Sequence, residues 1–504
     1  MDTLVNLIHG FGTVLQPLNL LFLVVGLVLG LLVAVLPGLT LVMGVVLALP
    51  FTYGMGIIPA VILLTAMYVS GTYGGAFTSI LFRIPGEPID VPLLWDGYPM
   101  ARAGEPALAL GWTLFAAFSG GMFAAIAMVF LSGPVAVIAL SLSTPEYFAV
   151  ILLGLSSVVA LGGNSLPKAL ISLALGLLFS SVGTDPTYGE PRFDFGIPML
   201  GDGIEYLLVM VGAYGLGEVL TRMEQRSTSV NVGSVGEIRT KLPSLKAVAQ
   251  TKMSLFRGSI VGFLVGVIPG AGATIASFVS YGLESQYGKR RRDLGTGIPE
   301  GIVAPQSAAT ASVGGAMVPL LTMGIPGSGA TAIIMAAFML QGIQPGPHVF
   351  FKSGDIVYAV FASVFLGVIG MCLIGYFAIK LLVRVLAFPE AITSAFVVMF
   401  CFMGAMASRS TVGDLWVIVS FGILGYLFER FRFPIAPMVL GSILGPLAET
   451  SFMTTMISFS NDWTVFFTRP VSGTLMAMVV LALIYPTVSE RLSRRRQARL
   501  ERAQ

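Results

Sequence analysis

The sequence predicts an all-α polytopic membrane protein built of two duplicated, inverted halves, with helices broken at Pro-Gly or folded as re-entrant hairpins. Three observations predict it: a composition too apolar for a soluble domain, apolar stretches of bilayer length along the whole chain, and Pro-Gly motifs recurring in matching order. Of 504 residues, 56% are hydrophobic and 11% charged, against about 45–50% and about 25% in soluble domains. Apolar stretches include Pro17–Leu36, Ala107–Leu131, Gly203–Leu220, Ile356–Ile379 and Val471–Ile484. A helix needs about 20 such residues to cross a bilayer, which predicts about ten to twelve membrane segments. Lipid offers the backbone no hydrogen-bond partner, so these segments must be helices. The 60 Gly and 29 Pro then belong to breaks held inside a bundle.

Charge and motif content exclude several function classes. A net charge of +3 gives no case for a nucleic-acid partner. The start, MDTLVNLIHG, has no Lys or Arg before its apolar run and does not read as a cleavable signal, so the first helix is expected to stay. Cys372 and Cys401 lie in apolar segments without metal or redox spacing, and His9 and His348 are isolated. No cofactor is expected. No nucleophile stands with a placed base, so the chain does not read as an enzyme. Gly288-Lys289 is followed by Arg290 and lacks the glycine spacing of a phosphate-binding loop. Transport would therefore draw on a Na+ or H+ gradient or an outside partner. A channel with re-entrant loops is the alternative. Its filter generally repeats around an axis through oligomerisation, whereas this duplication lies within one chain.

Basic clusters divide the chain. Residues 1–220 form a first transmembrane half, 221–257 a cytoplasmic linker rich in Lys and Arg, 258–488 a second half, and 489–504 a basic cytoplasmic tail. Lys289-Arg290-Arg291-Arg292 is a further cytoplasmic cluster. The acidic stretch Gly183–Gly203, with Asp185, Glu190, Asp194 and Asp202, fits the outside. Arg257 and Lys289 share a side only if Gly258–Gln286 makes no net crossing. That predicts a hairpin with its tip at Pro269-Gly270, where Pro removes a donor and Gly permits reversal.

The function is expected at the repeat. GLLVAVLPGLT (Gly30–Thr40) aligns with GFLVGVIPGAGAT (Gly262–Thr274), and YGGAFTSILFRIPGEP (Tyr73–Pro88) with VGGAMVPLLTMGIPGSG (Val313–Gly329). Asp96-Gly97-Tyr98-Pro99 then lies against Gln341-Gly342-Ile343-Gln344-Pro345. A mid-membrane Pro-Gly break frees carbonyls that suit a cation and exposes a half-helix N-terminus that suits an anion. Pro37-Gly38 should match Pro269-Gly270, and Pro85-Gly86 should match Pro326-Gly327, as two opposed clefts. Thr40, Thr274, Ser328 and Thr331 follow these breaks as oxygen ligands or helix caps. Gly74, Gly75 and Gly272 complete the motifs.

GVIPGAGATIASFVSYGLE, PEGIVAPQSAATASVGGAMVPLLTMGIPGSGAT, YGGAFTSILFRIPGEP, DGYPMARAG and GTDPTYGEPRFDFG resemble the large membrane subunit of tripartite tricarboxylate transporters, the TctA family. The resemblance covers nearly the whole chain in the same order. It implies a multi-pass secondary carrier of the bacterial inner membrane, importing a small carboxylate (a tricarboxylate or related organic anion) and driven by an ion gradient. The implied partners are a small integral-membrane subunit, a periplasmic solute-binding protein, the organic anion and the lipid bilayer. Several residues depart from the family pattern. Arg83 stands where the family usually has Asn, Glu87 where it usually has Thr, and Gln306-Ser307 lie in APQSAATA where it usually reads APEAANNA. Arg83 either grips a substrate carboxylate bidentately or neutralises Glu87 across the break.

Asp96, Tyr98 and Arg102 form a polar connector that either contacts the solute path or a partner subunit or, more simply, is a solvated loop. The GxxxG spacings at Gly26/Gly30 and Gly266/Gly270 read as close helix packing.

Overall fold

The structure, a computed structural model, describes residues 2–36, 39–83, 85–156, 165–185, 189–225, 240–268, 272–377, 382, 390–408, 411–481 and 483. Apolar runs become helices and Gly or Pro ends them. The chain begins with α1 (Asp2–Val14), α2 (Pro17–Val35), α3 (Leu41–Ala48), α4 (Ile57–Gly74), α5 (Ala76–Phe82), α6 (Val91–Arg102) and α7 (Pro106–Leu140). Next come α8 (Thr144–Ser156), α9 (Leu166–Ser180) and a short antiparallel hairpin of β1 (Gly183–Thr184) and β2 (Pro191–Arg192). Then α10 (Tyr206–Met210) runs through a π-helical turn, Val211–Leu216, into α11 (Gly217–Gln225). The second half holds α12 (Leu245–Val267), α13 (Gly272–Tyr287), α14 (Pro299–Met323), α15 (Gly329–Leu340), α16 (Pro347–Lys352) and α17 (Gly354–Phe377). It ends with α18 (Glu390–Ser408), α19 (Val412–Arg430), α20 (Ile435–Ser458) and α21 (Val465–Thr468).

Among the described residues, 6 helices are long and apolar enough to cross a membrane, joined by shorter apolar helices such as Leu166–Ser180 and Gly329–Leu340. The chain is therefore a multi-pass helical membrane protein. Long helices fall short of the predicted number of segments because breaks divide several apolar stretches. Gly203–Leu220, for example, changes from α to π geometry at Val211 and back at Gly217. Helix α12 also begins inside the stretch read as a linker, at Leu245, after the Ser244 hydroxyl accepts from the Ala247 N–H.

The fold has two compact units, Met1–Ala139 with Arg222–Thr411, and Leu140–Thr221 with Val412–Gln504. Each draws on both sequence halves.

In the first unit the duplication reappears as duplicated contacts. Helix α2 packs on α4 as α12 packs on α14. A Cβ at Gly26 would meet the Leu63 carbonyl oxygen at 2.4 Å, and one at Gly30 the Met67 carbonyl at 2.5 Å. In the second half, Gly258 faces the Ala304 carbonyl at 2.6 Å and Gly262 the Ala308 carbonyl at 2.2 Å. These positions correspond at constant spacing, 26 to 258 and 30 to 262 on one helix, 63 to 304 and 67 to 308 on the other. Absent side chains let the backbones touch, the packing device of membrane helices.

The ends of α12 and α13 meet. Ser254 Oγ donates to Glu284 Oε1 at 3.0 Å, and Arg257 Nη2 lies 3.6 Å from Glu284 Oε2. The segment between Arg257 and Lys289 thus turns back on itself. Its proposed tip, Pro269-Gly270, lies outside the described residues, as do Pro37 and Gly38 and the basic tail.

In the second unit, glycines bring α9 onto α20 and α19 onto the π turn. Gly176 faces the Met438 carbonyl and Gly441 the Leu173 carbonyl, while Gly425 faces the Ala213 carbonyl and Gly212 the Ile418 carbonyl. Val209, Ala213, Phe421, Phe428 and Met438 form the core there. Arg192, on the acidic connector, clamps Glu449 of α20 through two nitrogens at 2.5 and 3.1 Å.

Candidate solute and ion site at the helix breaks

Matching breaks end their helices in matching conformations. Helices α2 and α12 stop at Val35 and Val267, and Leu36 and Ile268 then extend with ψ 114° and 117°. Each donates its N–H to the carbonyl three residues back, Val33 or Val265. At the second break of each half, α5 ends at Phe82 and α14 at Met323. The next residues, Arg83 and Gly324, are left-handed at φ 60°, ψ 29° and φ 71°, ψ 28°. The position before Ile-Pro-Gly therefore terminates a helix, and Gly324 is the residue that does so without a Cβ penalty.

This register corrects one detail of the sequence alignment. Gly74 faces Ala34 Cβ and the Leu31 carbonyl, and its contact equivalent is Gly315, which faces the Phe263 carbonyl and Gly266. Gly314, the partner chosen by matching GGA to GGA, faces Ala124. Likewise a Cβ at Gly86 would meet Gly75 Cα at 2.5 Å and the Ala34 carbonyl at 2.8 Å. One at Gly327 would meet Ala316 Cα at 2.6 Å and the Gly266 carbonyl at 2.8 Å. Both glycines are packing requirements at the crossing of two backbones.

Beyond each second break the chain restarts in a reciprocal cap. Ser328 Oγ accepts from the Thr331 N–H at 3.3 Å, and Thr331 Oγ1 accepts from the Ser328 N–H at 2.7 Å. At the corresponding positions of the first half the Glu87 side chain accepts from the Asp90 N–H, and Asp90 Oδ2 accepts from the Glu87 N–H at 3.0 Å. The same device is neutral in one half and acidic in the other.

The restarted segments cross over between halves. Gly329 at the start of α15 lies against Val42 of α3, and Ser277 of α13 donates to the Ile89 carbonyl at 2.8 Å. The described flanks of the breaks gather here. Thr40 caps α3 by accepting from the Met43 N–H at 3.2 Å, and the Leu41 N–H donates to Glu87 Oε1. Ser328 Oγ shares a hydrogen bond of 3.0 Å with Tyr68 OH, and Gly272, at φ 61°, lies beside the Ser328 side chain. Thr274 sits in the first turn of α13. The hydroxyls of Thr40, Ser328 and Thr331 thus serve as caps, and two half-helix starts, α3 and α15, lie side by side.

Other sequence candidates have other partners. Gln306 Nε2 donates to the Thr72 carbonyl at 3.0 Å and to Thr310 Oγ1 at 3.2 Å, tying α14 to α4. Ser307 donates back to the Ala304 carbonyl within its own helix. Pro326 is buried and Pro85 exposed.

Asp96 is no solvated connector. It is fully buried on α6, and its carboxylate accepts the N–H groups of Gly295, Gly297 and Ile298 at 2.9–3.1 Å and the Tyr281 hydroxyl at 2.9 Å. Gln341, its sequence counterpart, donates to the carbonyls of Thr52 and Met55 at 3.1 and 2.9 Å. Each half thereby ties down the loop that precedes the other half's long helix.

This arrangement stands on a chain whose residues 20–440 match the family model of the tripartite tricarboxylate transporter TctA family. The chain belongs to the TctA family. It is 35% identical over 496 residues, 97% of this chain and 98% of the relative, to "Uncharacterized 52.8 kDa protein in TAR-I ttuC' 3'region" of Agrobacterium vitis. It is also 35% identical over 240 residues, 48% of this chain and 99% of the relative, to "Uncharacterized protein in TAR-II ttuC' 3'region" of the same organism. No solved structure matches the chain. TctA proteins are transporter subunits of a three-part system, and the match spans every duplicated contact described above.

The departures from the usual TctA pattern now have positions. Arg83 occupies the left-handed helix end, a conformation in which Asn is at home and Arg is strained. Its guanidinium is exposed, with Cζ 5.5 Å from the centre of the Tyr98 ring. Among the described residues no ion pair joins it to Glu87, which is buried and held by backbone donors. Of the two alternatives for Arg83, neutralisation of Glu87 is not seen: the arginine is exposed and the glutamate buried. Sequence reasoning missed Asp90, Tyr68 and Thr72. The signal for Asp90 was present as Glu-x-x-Asp after the first Ile-Pro-Gly, matching Ser-x-x-Thr after the second.

Proposed function

We propose that the chain is the large membrane subunit of a binding-protein-dependent secondary transporter of the bacterial inner membrane, importing a small carboxylate with Na+ or H+. The observation that carries this reading is the crossing of restarted helices. The N-termini of α3 and α15, from opposite halves, lie side by side next to the Ser328–Tyr68 pair. Oriented N–H groups at half-helix starts favour an anion, and the carbonyls freed at the breaks favour a cation.

In this reading the two halves are inverted relative to each other, and alternating access moves one against the other around the breaks. The solute contacts the half-helix starts after Pro37-Gly38, Pro269-Gly270 and Pro326-Gly327, and the restart after Pro85-Gly86, capped by Glu87 and Asp90, serves the coupling ion. The exposed Arg83 grips a carboxylate, a task for which a guanidinium is shaped. A small membrane subunit and a periplasmic binding protein complete the carrier.

The test is reconstitution of the purified chain in liposomes with its two partner subunits. Saturable accumulation of citrate, tartrate or a simple dicarboxylate under an imposed Na+ or pH gradient supports the reading. Non-saturable flux without the binding protein overturns it. Uptake by Arg83→Ala equal to that of the unaltered chain removes Arg83 from the contact set.

A further inference from the structure

We propose that Glu87 and Asp90 form the proton-carrying site of the carrier, the pair holding one proton while the solute is loaded. The inference rests on the transport reading above and deepens it by naming the coupling ion. The proton joins a carboxylate oxygen from water on the outer side and leaves to water on the inner side, with no other bond made or broken.

Three features carry the assignment. The first is redundancy. Capping the restarted helix does not call for acids, since Ser328 and Thr331 make the same reciprocal pair with neutral hydroxyls. Carboxylates at the matching positions supply something the cap does not require.

The second is burial without a counter-charge. Glu87 is 7% exposed and Asp90 1%, and Asp90 Oδ1 has no hydrogen-bond partner. No ion pair reaches Glu87 or Asp90 among the described residues, and the nearby cations Arg83 and Arg102 are exposed rather than buried beside them. Helix α3 carries no titratable group. On α4, Tyr68 is bonded to Ser328, and Tyr73 is a neutral phenol. Helix α6 brings Asp96, Tyr98 and Arg102, of which Asp96 is saturated by backbone donors and Tyr98 lies under Arg83. On α13, Tyr281 donates to Asp96, and Glu284 is held by Ser254 and Arg257. Two adjacent carboxylates in such surroundings cannot both stay ionised cheaply, and one proton removes the repulsion.

The third feature separates a proton from a metal cation. A hard cation needs several converging oxygens and room for its own radius. Here the carboxylates meet N–H donors of Leu41, Glu87 and Asp90 instead. On the other flank Gly75 is so close that even a single added Cβ would overlap Asp90 Oδ2. A proton needs no such space.

The test transplants the neutral cap into the first half, as the full-length double variant Glu87→Ser/Asp90→Thr, with Asp90→Asn as a milder single change. Each is reconstituted with the partner subunits and assayed with citrate, tartrate and succinate, for accumulation under an imposed pH or Na+ gradient and for gradient-free counterflow. The unaltered chain should accumulate solute under an inward proton gradient without Na+. Both variants should retain counterflow and lose pH-driven accumulation. Accumulation that follows Na+ and ignores pH in the unaltered chain overturns the proposal, as does unimpaired pH-driven accumulation in the folded double variant. Absence of counterflow with every solute in the unaltered chain would sink the transport reading itself, a different outcome.

Discussion

Arg83 and Gly324 hold one and the same left-handed helix end in the two halves, at φ 60° and φ 71°. A side chain with a Cβ costs about 1–2 kcal/mol there, and glycine does not. Arg83→Gly should therefore be more stable than Arg83→Ala by about 1 kcal/mol, since both lose the Tyr98 contact and only one keeps the strain. Thermal unfolding of the two purified variants measures the difference. Equal midpoints would mean that the turn relaxes when arginine leaves.

Gly86 and Gly327 should be equally intolerant of a methyl group. Each added Cβ meets backbone at 2.5–2.8 Å, and backbone cannot step aside as a flexible side chain can. Gly86→Ala and Gly327→Ala are each expected to lose about 1–3 kcal/mol. Midpoints unchanged from the unaltered chain in either variant would contradict the close crossing there.

Asp96→Asn should destabilise although it is nearly isosteric. An amide has one acceptor where the carboxylate offers two oxygens to three backbone N–H groups and a phenol. Hydrogen bonds to a charged group contribute about 1.5–3 kcal/mol, and their loss here should appear as a lower unfolding midpoint. Tyr281→Phe removes a single one of these donors and should cost less.

Gln306→Glu should make stability depend on pH. The Gln306 amide donates to the Thr72 carbonyl, and a protonated acid can do the same, whereas an ionised carboxylate sets two acceptors against each other. The sign is fixed by that chemistry. The variant approaches the unaltered chain in acid and loses stability as pH rises. Unfolding midpoints measured from pH 5 to pH 8 that run parallel for the two chains would refute the assigned bond.

Cysteines placed at Leu245 and Ser285 should be labelled from the same side of the membrane. Both are exposed and lie near the two ends of the α12–α13 hairpin, whose stems are joined by Ser254, Arg257 and Glu284. Labelling from opposite sides by an impermeant reagent would show a net crossing instead.

How much of this was legible follows from the range of each interaction. The apolar runs and the Gly26/Gly30 contact stripe are local patterns, and a period read along the chain finds them. The duplication was legible because Ile-Pro-Gly punctuates both halves, but its register was not. Matching Gly74-Gly75 to Gly314-Gly315 satisfied the letters, while helix contacts required Gly74 to stand for Gly315. Asp96 was misread for a plain reason. An aspartate beside Gly-Tyr-Pro resembles a loop residue, and the donors that bury it lie about 200 positions away, at Gly295 to Ile298. Arg83 looked like a possible partner for Glu87 because proximity in sequence says nothing about burial, and one of the two is buried while the other is exposed.

The tie from Gln341 to the carbonyls of Thr52 and Met55 also bears on biosynthesis. At about 5–20 residues per second, roughly 15 to 60 s separate the emergence of those carbonyls from that of their donor, 286 residues later for Met55. Throughout that interval the nascent first half sits in the bilayer with its companion loop unanchored. A ribosome that stalls before position 341 leaves a chain that is inserted and unfinished, a natural target for membrane quality control.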